Sequence, residues 1–406
     1  MADFGNTLPR TEVVAAAPRA NNWRYALIAI IAFLTLVDLF AAQAVLPSLV
    51  EKFHASRATT GFAVNASTFG MAVAGLVVAL FGSNIDRRRG VWVSLAVLSV
   101  PTLLLAFTDD IVVFTVLRIA QGLCMSTAFT LTAAYLSEHF SADTAGTALA
   151  AYVTGNVASN LFGRILSASV TGLGGLSVNF TMFSGLNLVG ALIAAFTMTA
   201  AARMMRVNET GASSMHLWKA HLHDAELRRV FAIGFLILFV FIGTYTYVNF
   251  RLVALGVPPM ALGLVYLVFL PSILTTPCAG KVAGRIGSRR GIILTLAMAV
   301  IGLLALVSHE LPVVLAGLTL IAVGTFLAQA MATGVIGRRA RSDRAGASGI
   351  YLASYYAGGL LGSLVLGQLY DRFGWNSVVL ALVMALCLAI GLAKRLNAPP
   401  PRSVDK

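Results

Sequence analysis

Charge is scarce in this sequence. Asp, Glu, Lys and Arg make up 11% of its 406 residues, where a soluble globular domain carries about 25%. That argues against a soluble enzyme and against a nucleic-acid-binding protein. Cysteine is equally thin: Cys124, Cys278 and Cys387 all fall in apolar runs, without the spacing of a zinc site or a disulfide framework. They are read as small packing residues. Also missing are His-Glu-x-x-His, Gly-x-Ser-x-Gly and a Walker-type phosphate loop, the usual marks of metalloproteases, hydrolases and ATPases. The expectation is a non-enzyme with no metal and no cofactor. The six histidines lie in or near polar segments and are read as solvated.

Apolar sequence is what the chain has in quantity: 58% of its residues are hydrophobic and the mean hydropathy is +0.85. A helix needs roughly 20 mostly apolar residues to cross a bilayer core. Twelve such runs are present, approximately 25-50, 60-83, 90-108, 111-137, 144-170, 177-202, 230-256, 259-283, 291-308, 311-337, 344-370 and 375-395. The expected fold is an all-α membrane protein of two six-helix bundles, 24-202 and 230-395. A polar and basic linker, 203-229, separates them. Residues 1-23 and 396-406 read as polar tails, the first disordered and lacking the apolar core and cleavage site of a secretory signal.

The formal charge of +13 has a topological explanation. Basic residues gather in the N-terminal tail, at Arg87-Arg88-Arg89, in the linker, from Lys281 to Arg290, from Arg338 to Arg344 and at the C-terminus. The alternate loops hold only Lys52, Arg57, Arg251 and Arg372. Cytoplasmic loops are the ones that collect Lys and Arg, so both termini and the linker are expected in the cytoplasm of a cell whose inner membrane holds the chain. The lipid bilayer is then the main partner, nucleic acid is not one, and a monomer of twelve helices suffices.

The halves echo each other. Gly82-Ser83-Asn84-Ile85-Asp86-Arg87 follows the second run, and Gly280 through Arg290 follows the eighth. Arg118-Ile119-Ala120-Gln121-Gly122 in the fourth run is paired with Leu320-Ile321-Ala322-Val323-Gly324 in the tenth. Parallel repeats of this kind are a transporter trait, with the binding site near the midplane between them. On these residues the chain resembles the major facilitator superfamily along essentially its whole length. Gly82, Asp86 and Arg87 match the loop signature after the second helix. Its second copy is matched by Gly280, Arg285, Gly287 and Arg289, with Gly284 in place of the aspartate. Arg118, Gln121 and Gly122 match the Arg-x-x-Gln-Gly signature, which resembles the drug:proton antiporter branch. Gly155, Asn156, Gly163 and Arg164, with Tyr351 through Gly359, resemble bacterial inner-membrane sugar and drug efflux permeases. The resemblance implies transport by alternating access, with the two loop motifs as conformational switch.

Asp38 is the most informative single residue. It lies 13 residues past Tyr25, about 20 Å into the first span at roughly 1.5 Å per residue, and a carboxylate at that depth is a functional hypothesis by default. Arg118 and Arg164 are buried charges by the same count, and arginine cannot shed its proton. One Asp against two Arg leaves a surplus of +1, which an anionic substrate would offset. Asp38 and Arg118 are the expected proton-coupling residues. Gln43, Arg164, Tyr245, Asn249, Tyr351 and Tyr355 are the substrate-cavity candidates, as rings and amides that orient a small organic solute. Pro271 and Pro277 are expected to break the eighth helix, and the glycines of helices five and eleven to let neighbours approach. The first reading is proton-coupled efflux of a small-molecule substrate, with protons as the coupled partner. Proton-linked uptake or facilitated diffusion of an organic anion or sugar stays open, as does a non-transporting receptor or scaffold.

Overall fold

The computed structural model describes residues 22–81, 85–139, 142–198, 220–258, 261–340 and 344–397. Residues 1–21, most of the proposed linker, the C-terminal tail beyond 397, and Gly82 lie outside the described residues. Among those described there is no strand.

The first half runs α1 (Asn22–Ala44), α2 (Leu46–Phe53), α3 (Arg57–Asn65), α4 (Ser67–Phe81), α5 (Arg87–Leu104), α6 (Ile111–His139) and α7 (Ala142–Thr197). The second runs α8 (Ala225–Ala254), α9 (Leu262–Val265), α10 (Leu270–Thr275), α11 (Ala279–Ile286), α12 (Ser288–Ala305), α13 (Leu311–Arg339), α14 (Arg344–Phe373) and α15 (Trp375–Lys394). Among the described residues ten helical stretches are long and apolar enough to cross a membrane. Two further crossings complete the expected twelve. One is α5, whose first turn is Arg87-Arg88-Arg89 and so reads as less apolar. The other lies inside the 56-residue α7, which reverses at Gly175 with φ of +79°. Only glycine enters that conformation without strain.

Side-chain contacts sort the helix ends onto two faces. Arg88 donates to the carbonyl of Ala195, and Arg229 to that of Arg395. On the opposite face Lys52 pairs with Asp109 at 3.2 Å, and the Trp375 indole donates to the carbonyl of Leu306. The first face is the basic one. There Asp224 caps α8, accepting from the amides of Glu226 and Leu227 at 2.8 and 3.2 Å and from Arg339 at 3.0 Å. Burial pushes its carboxyl up, but those donors outweigh it and hold it below the ordinary carboxylate value. Because of this cap α8 begins inside the stretch read as linker. The turn before it tucks His221 to 6% exposure, which corrects the reading of that histidine as solvated. Cys278 and Cys387 are exposed free thiols on the molecular surface and not packing residues, while Cys124 is half-buried.

The repeat is visible in the packing. In the first half α7 lies on α1 through Gly155, where an added Cβ would stand 2.0 Å from the carbonyl oxygen of Ala29. In the second half α14 lies on α8 through Gly358, where the same atom would stand 2.0 Å from the carbonyl of Phe235. Backbones this close admit no side chain, so Gly155→Val is expected to destabilise the protein by about 3 kcal/mol or more. Its melting temperature in detergent should drop well below that of the surface change Cys387→Ser, and equal values would refute the packing argument.

The two halves meet along α3 and α4 against α14, and along α7 against α9 and α10, with α1 touching α8. The eighth span is broken as its prolines dictate. Residues Tyr266–Phe269 and Thr276–Cys278 are 3-10 turns on either side of α10, because Pro271 and Pro277 each withhold a backbone donor. On the face opposite the basic one the halves are clasped. Asp371 accepts from the amide of Ala58 at 3.0 Å, and the Arg57 guanidinium lies 5.2 Å and 5.3 Å from the rings of Phe250 and Tyr370.

Candidate functional site

Two polar networks stand in the apolar interior. The first is confined to the first half. Asp38 of α1 is 3% exposed and Arg118 of α6 is fully buried. The Asp38 carboxylate accepts from Asn187 Nδ2 of α7 at 2.7 Å and from Thr102 of α5 at 3.4 Å. Arg118 donates beside it to the Asp38 backbone carbonyl at 3.1 Å, and also to Val64 O, Gln121 Oε1 and Ser67 Oγ at 2.8, 2.6 and 3.0 Å. Gln121 passes the network on to Thr102 at 2.6 Å. The guanidinium is therefore committed to neutral acceptors. The carboxylate is held by neutral donors, with the positive charge adjacent but outside ion-pair contact. Such a carboxylate can gain a proton without breaking a salt bridge.

The second network joins the halves. Arg164 of α7 is fully buried. It donates to Gln43 Oε1 of α1 and to the Tyr245 carbonyl of α8 at 3.4 Å. Gln43 donates in turn to Asn65 at 2.7 Å, Asn65 to Thr246 at 3.1 Å, and Asn249 to the Gln43 carbonyl at 3.1 Å. Four rings enclose the guanidinium: Tyr266 at 4.6 Å, Phe269 at 5.4 Å, and Phe40 and Tyr245 at 5.5 Å. Desolvated cation–π contacts of this kind are worth about 2 kcal/mol each. Among the described residues no carboxylate lies within 4.0 Å of it.

The family model described as Major Facilitator Superfamily matches residues 28–270 and 252–406, essentially all of these spans. The chain belongs to the major facilitator superfamily. Its relatives include the MFS-type transporter YybF of Bacillus subtilis, 27% identical over 91% of this chain and 93% of that protein. The inner membrane transport protein YnfM of Escherichia coli is 26% identical over 90% and 89%. The drug efflux pump JefA of Mycobacterium tuberculosis is 31% identical, over 27% of this chain and 21% of that protein. In fold the chain is similar to a bacterial homologue of the human lysosomal transporter Spinster, in an inward-facing and occupied conformation, with a TM-score of 0.74 at 13% identity. That match covers 94% of this chain and 98% of the other.

This major facilitator transporter thus brings Asp38 together with Arg118, and Gln43 together with Arg164, Tyr245 and Asn249. It does not bring the remaining cavity candidates to them. Tyr351 and Tyr355 stack on each other at 5.9 Å, and the Tyr351 ring lies against Gly234 near the basic end of α8. Gly234 is about 16 Å along that helix from Tyr245. The Tyr245 hydroxyl also turns away from Arg164, donating to Leu318 O at 2.6 Å, so its ring and backbone carbonyl face the guanidinium. Of the loop motif, Asp86 caps α5 by accepting from the Arg89 amide at 2.7 Å. Arg87 donates to Ile85 O at 3.3 Å. In the second copy Gly287 adopts φ of +82° between α11 and α12, Gly280 has open space around it, and Arg285 and Arg289 are exposed.

Sequence reasoning passed over Thr102, Asn187, Asn160 and Tyr266. Each is a lone polar or amphipathic residue in an apolar run, a pattern more often explained by a helix-to-helix hydrogen bond. The available signal was depth: Asn160 stands one helical turn from Arg164, on the same face.

Proposed function

We propose that this transporter couples export of a small organic solute to proton entry, by alternating access between its two halves, with the basic face in the cytoplasm. The observation that carries the reading is the environment of Asp38. It is the carboxylate buried in the middle of the described spans, satisfied by Asn187 and Thr102 and set beside a guanidinium it does not contact through its side chain.

Desolvation favours the neutral acid and the adjacent cation favours the carboxylate. A rocking of the halves that changes the access of Asp38 to water therefore loads the proton in one state and releases it in the other. The asymmetric clasp supports such a cycle. The Arg57, Ala58 and Asp371 contacts bridge the halves on the face opposite the basic one. Among the described residues the ion pairs of Arg339 with Asp224 and Glu226 on the basic face stay within the second half. The basic face is assigned to the cytoplasm by the excess of Lys and Arg there, and JefA's name as a drug efflux pump favours the outward direction.

The test is purified protein in liposomes loaded with a pH-sensitive dye, screened with sugars, carboxylates and lipophilic cations under an imposed pH gradient. The expected result is a solute-evoked proton flux opposite in direction to the solute. Solute flux with no proton movement would make the protein a facilitator and refute the coupling.

A further inference from the structure

We infer that the Arg164 cage is the oxyanion site of the substrate path, and that the solute is an organic anion with an apolar, ring-bearing body. The inference rests on the transporter reading above and names the substrate class for it.

Four observations converge on this place. First, Arg164 is a fully buried cation whose partners, Gln43 Oε1, the Tyr245 carbonyl and the Tyr266 side chain, are all neutral, and its Nε finds no acceptor. An ionised group inside a membrane span whose own partners leave a donor unpaired marks a substrate or ion path. Second, Asn160, one turn nearer the basic face, is 1% exposed and has neither its Nδ2 nor its Oδ1 in a hydrogen bond. Arg164 and Asn160 lie between two contact lines of α7: Gly163 packs on Val37 of α1, and Ala168 meets Gly263 of α9. Both side chains therefore point at the seam between the halves. Ser272 of α10, on an element packed against α7, has its hydroxyl buried and unpartnered as well.

Third, the walls are aromatic. Phe40 comes from the first half, and Tyr245, Tyr266 and Phe269 from the second. A carboxylate would take the unpartnered Arg164 Nε–H and the Asn160 amide, while its apolar body stacked on these rings. A sugar would leave the guanidinium charge uncompensated, and a lipophilic cation would be repelled by it. Fourth, a groove of about 340 Å³ opens one turn further out, lined by Ala44, Val45, Ala168 and Leu262 among others. Ala168 follows Arg164 by four residues and Leu262 precedes Tyr266 by four, so the groove lies one helical turn from the cage on both segments. It provides a vestibule on the face opposite the basic one.

The probe is salicylate, with its neutral alcohol counterpart salicyl alcohol and the cation tetraphenylphosphonium as comparisons. Binding to the purified full chain in detergent is measured by equilibrium dialysis. Salicylate should bind about tenfold or more tighter than salicyl alcohol, and Arg164→Gln should remove that preference, since a charged hydrogen bond is worth about one to two powers of ten. Arg164→Lys should restore part of it, as charge without the planar fork. Asn160→Ala loses no hydrogen bond within the protein, so it should melt like wild type yet bind salicylate several-fold more weakly.

Equal binding of salicylate and salicyl alcohol would overturn the assignment, as would binding of tetraphenylphosphonium alone, or salicylate affinity unchanged in both Arg164→Gln and Asn160→Ala. Those results leave the transporter reading standing if the same protein still moves tetraphenylphosphonium or a sugar in liposomes. The transporter reading fails separately, on absence of flux for every solute.

Discussion

Asp38→Asn is expected to reduce proton-driven solute movement to the level of protein-free liposomes, with little change in yield or melting temperature. The two halves of that expectation have different causes. An asparagine Oδ1 still accepts from Asn187 Nδ2 and from the Thr102 hydroxyl, the two groups that hold the native carboxylate. The buried network therefore keeps its partners, and removing a buried charge relieves desolvation. What is lost is the only function an amide cannot supply, the gain and loss of a proton. Solute counterflow, which needs no proton, should survive in the variant. Flux of the wild type should change with pH, and the residual flux of the variant should not. Proton-coupled accumulation that persists in Asp38→Asn would remove Asp38 from the mechanism.

Arg118→Ala is expected to do the reverse and cost the fold. The guanidinium joins three spans, donating to the Asp38 carbonyl on α1, to Val64 and Ser67 on α3 and α4, and to Gln121 on its own helix. Truncation leaves each acceptor buried and leaves Asp38 without the nearby positive charge, a loss of about 3–5 kcal/mol when one member of a buried charged network is removed. Against a net stability of about 5–15 kcal/mol, the folded fraction recovered on size exclusion in detergent should fall several-fold. Arg118→Lys keeps the charge but has no fork to reach three helices, so it should lie between. If Arg118→Ala is recovered like wild type and only coupling is lost, Arg118 acts on the proton alone and not as a cross-helix tie.

The spans were legible in the sequence because hydropathy is a local property. Each needs only about 20 apolar residues in a row, whatever they pack against. The same holds for the break of the eighth helix at Pro271 and Pro277, and for the gap between the runs 144-170 and 177-202, within which the chain reverses at Gly175. Depth was legible as well, since helix rise is constant, and it singled out Asp38, Arg118 and Arg164. The partners of those residues were not. Asn187 is 149 positions from Asp38, and Tyr245 is 81 from Arg164. Tyr351 and Tyr355 carry the same residue types and the same four-residue spacing that fit a cavity wall, yet Tyr351 packs on Gly234 near the basic face and Tyr355 stacks on Tyr351. Spacing places residues on one face of a helix and leaves open which neighbour that face meets.

By itself the sequence determined that this is a twelve-span, two-fold repeated membrane protein with one basic face, because length, apolarity and charge act residue by residue against the bilayer. Only the tertiary structure decided that Asp38 is held by neutral donors while Arg118 ties three helices, and that Arg164 is closed in by rings from both halves. Those outcomes depend on the rotation of each helix about its axis. That rotation is set by close contacts such as Gly155 on Ala29 and Gly358 on Phe235, which form only when segments distant in the chain pack together.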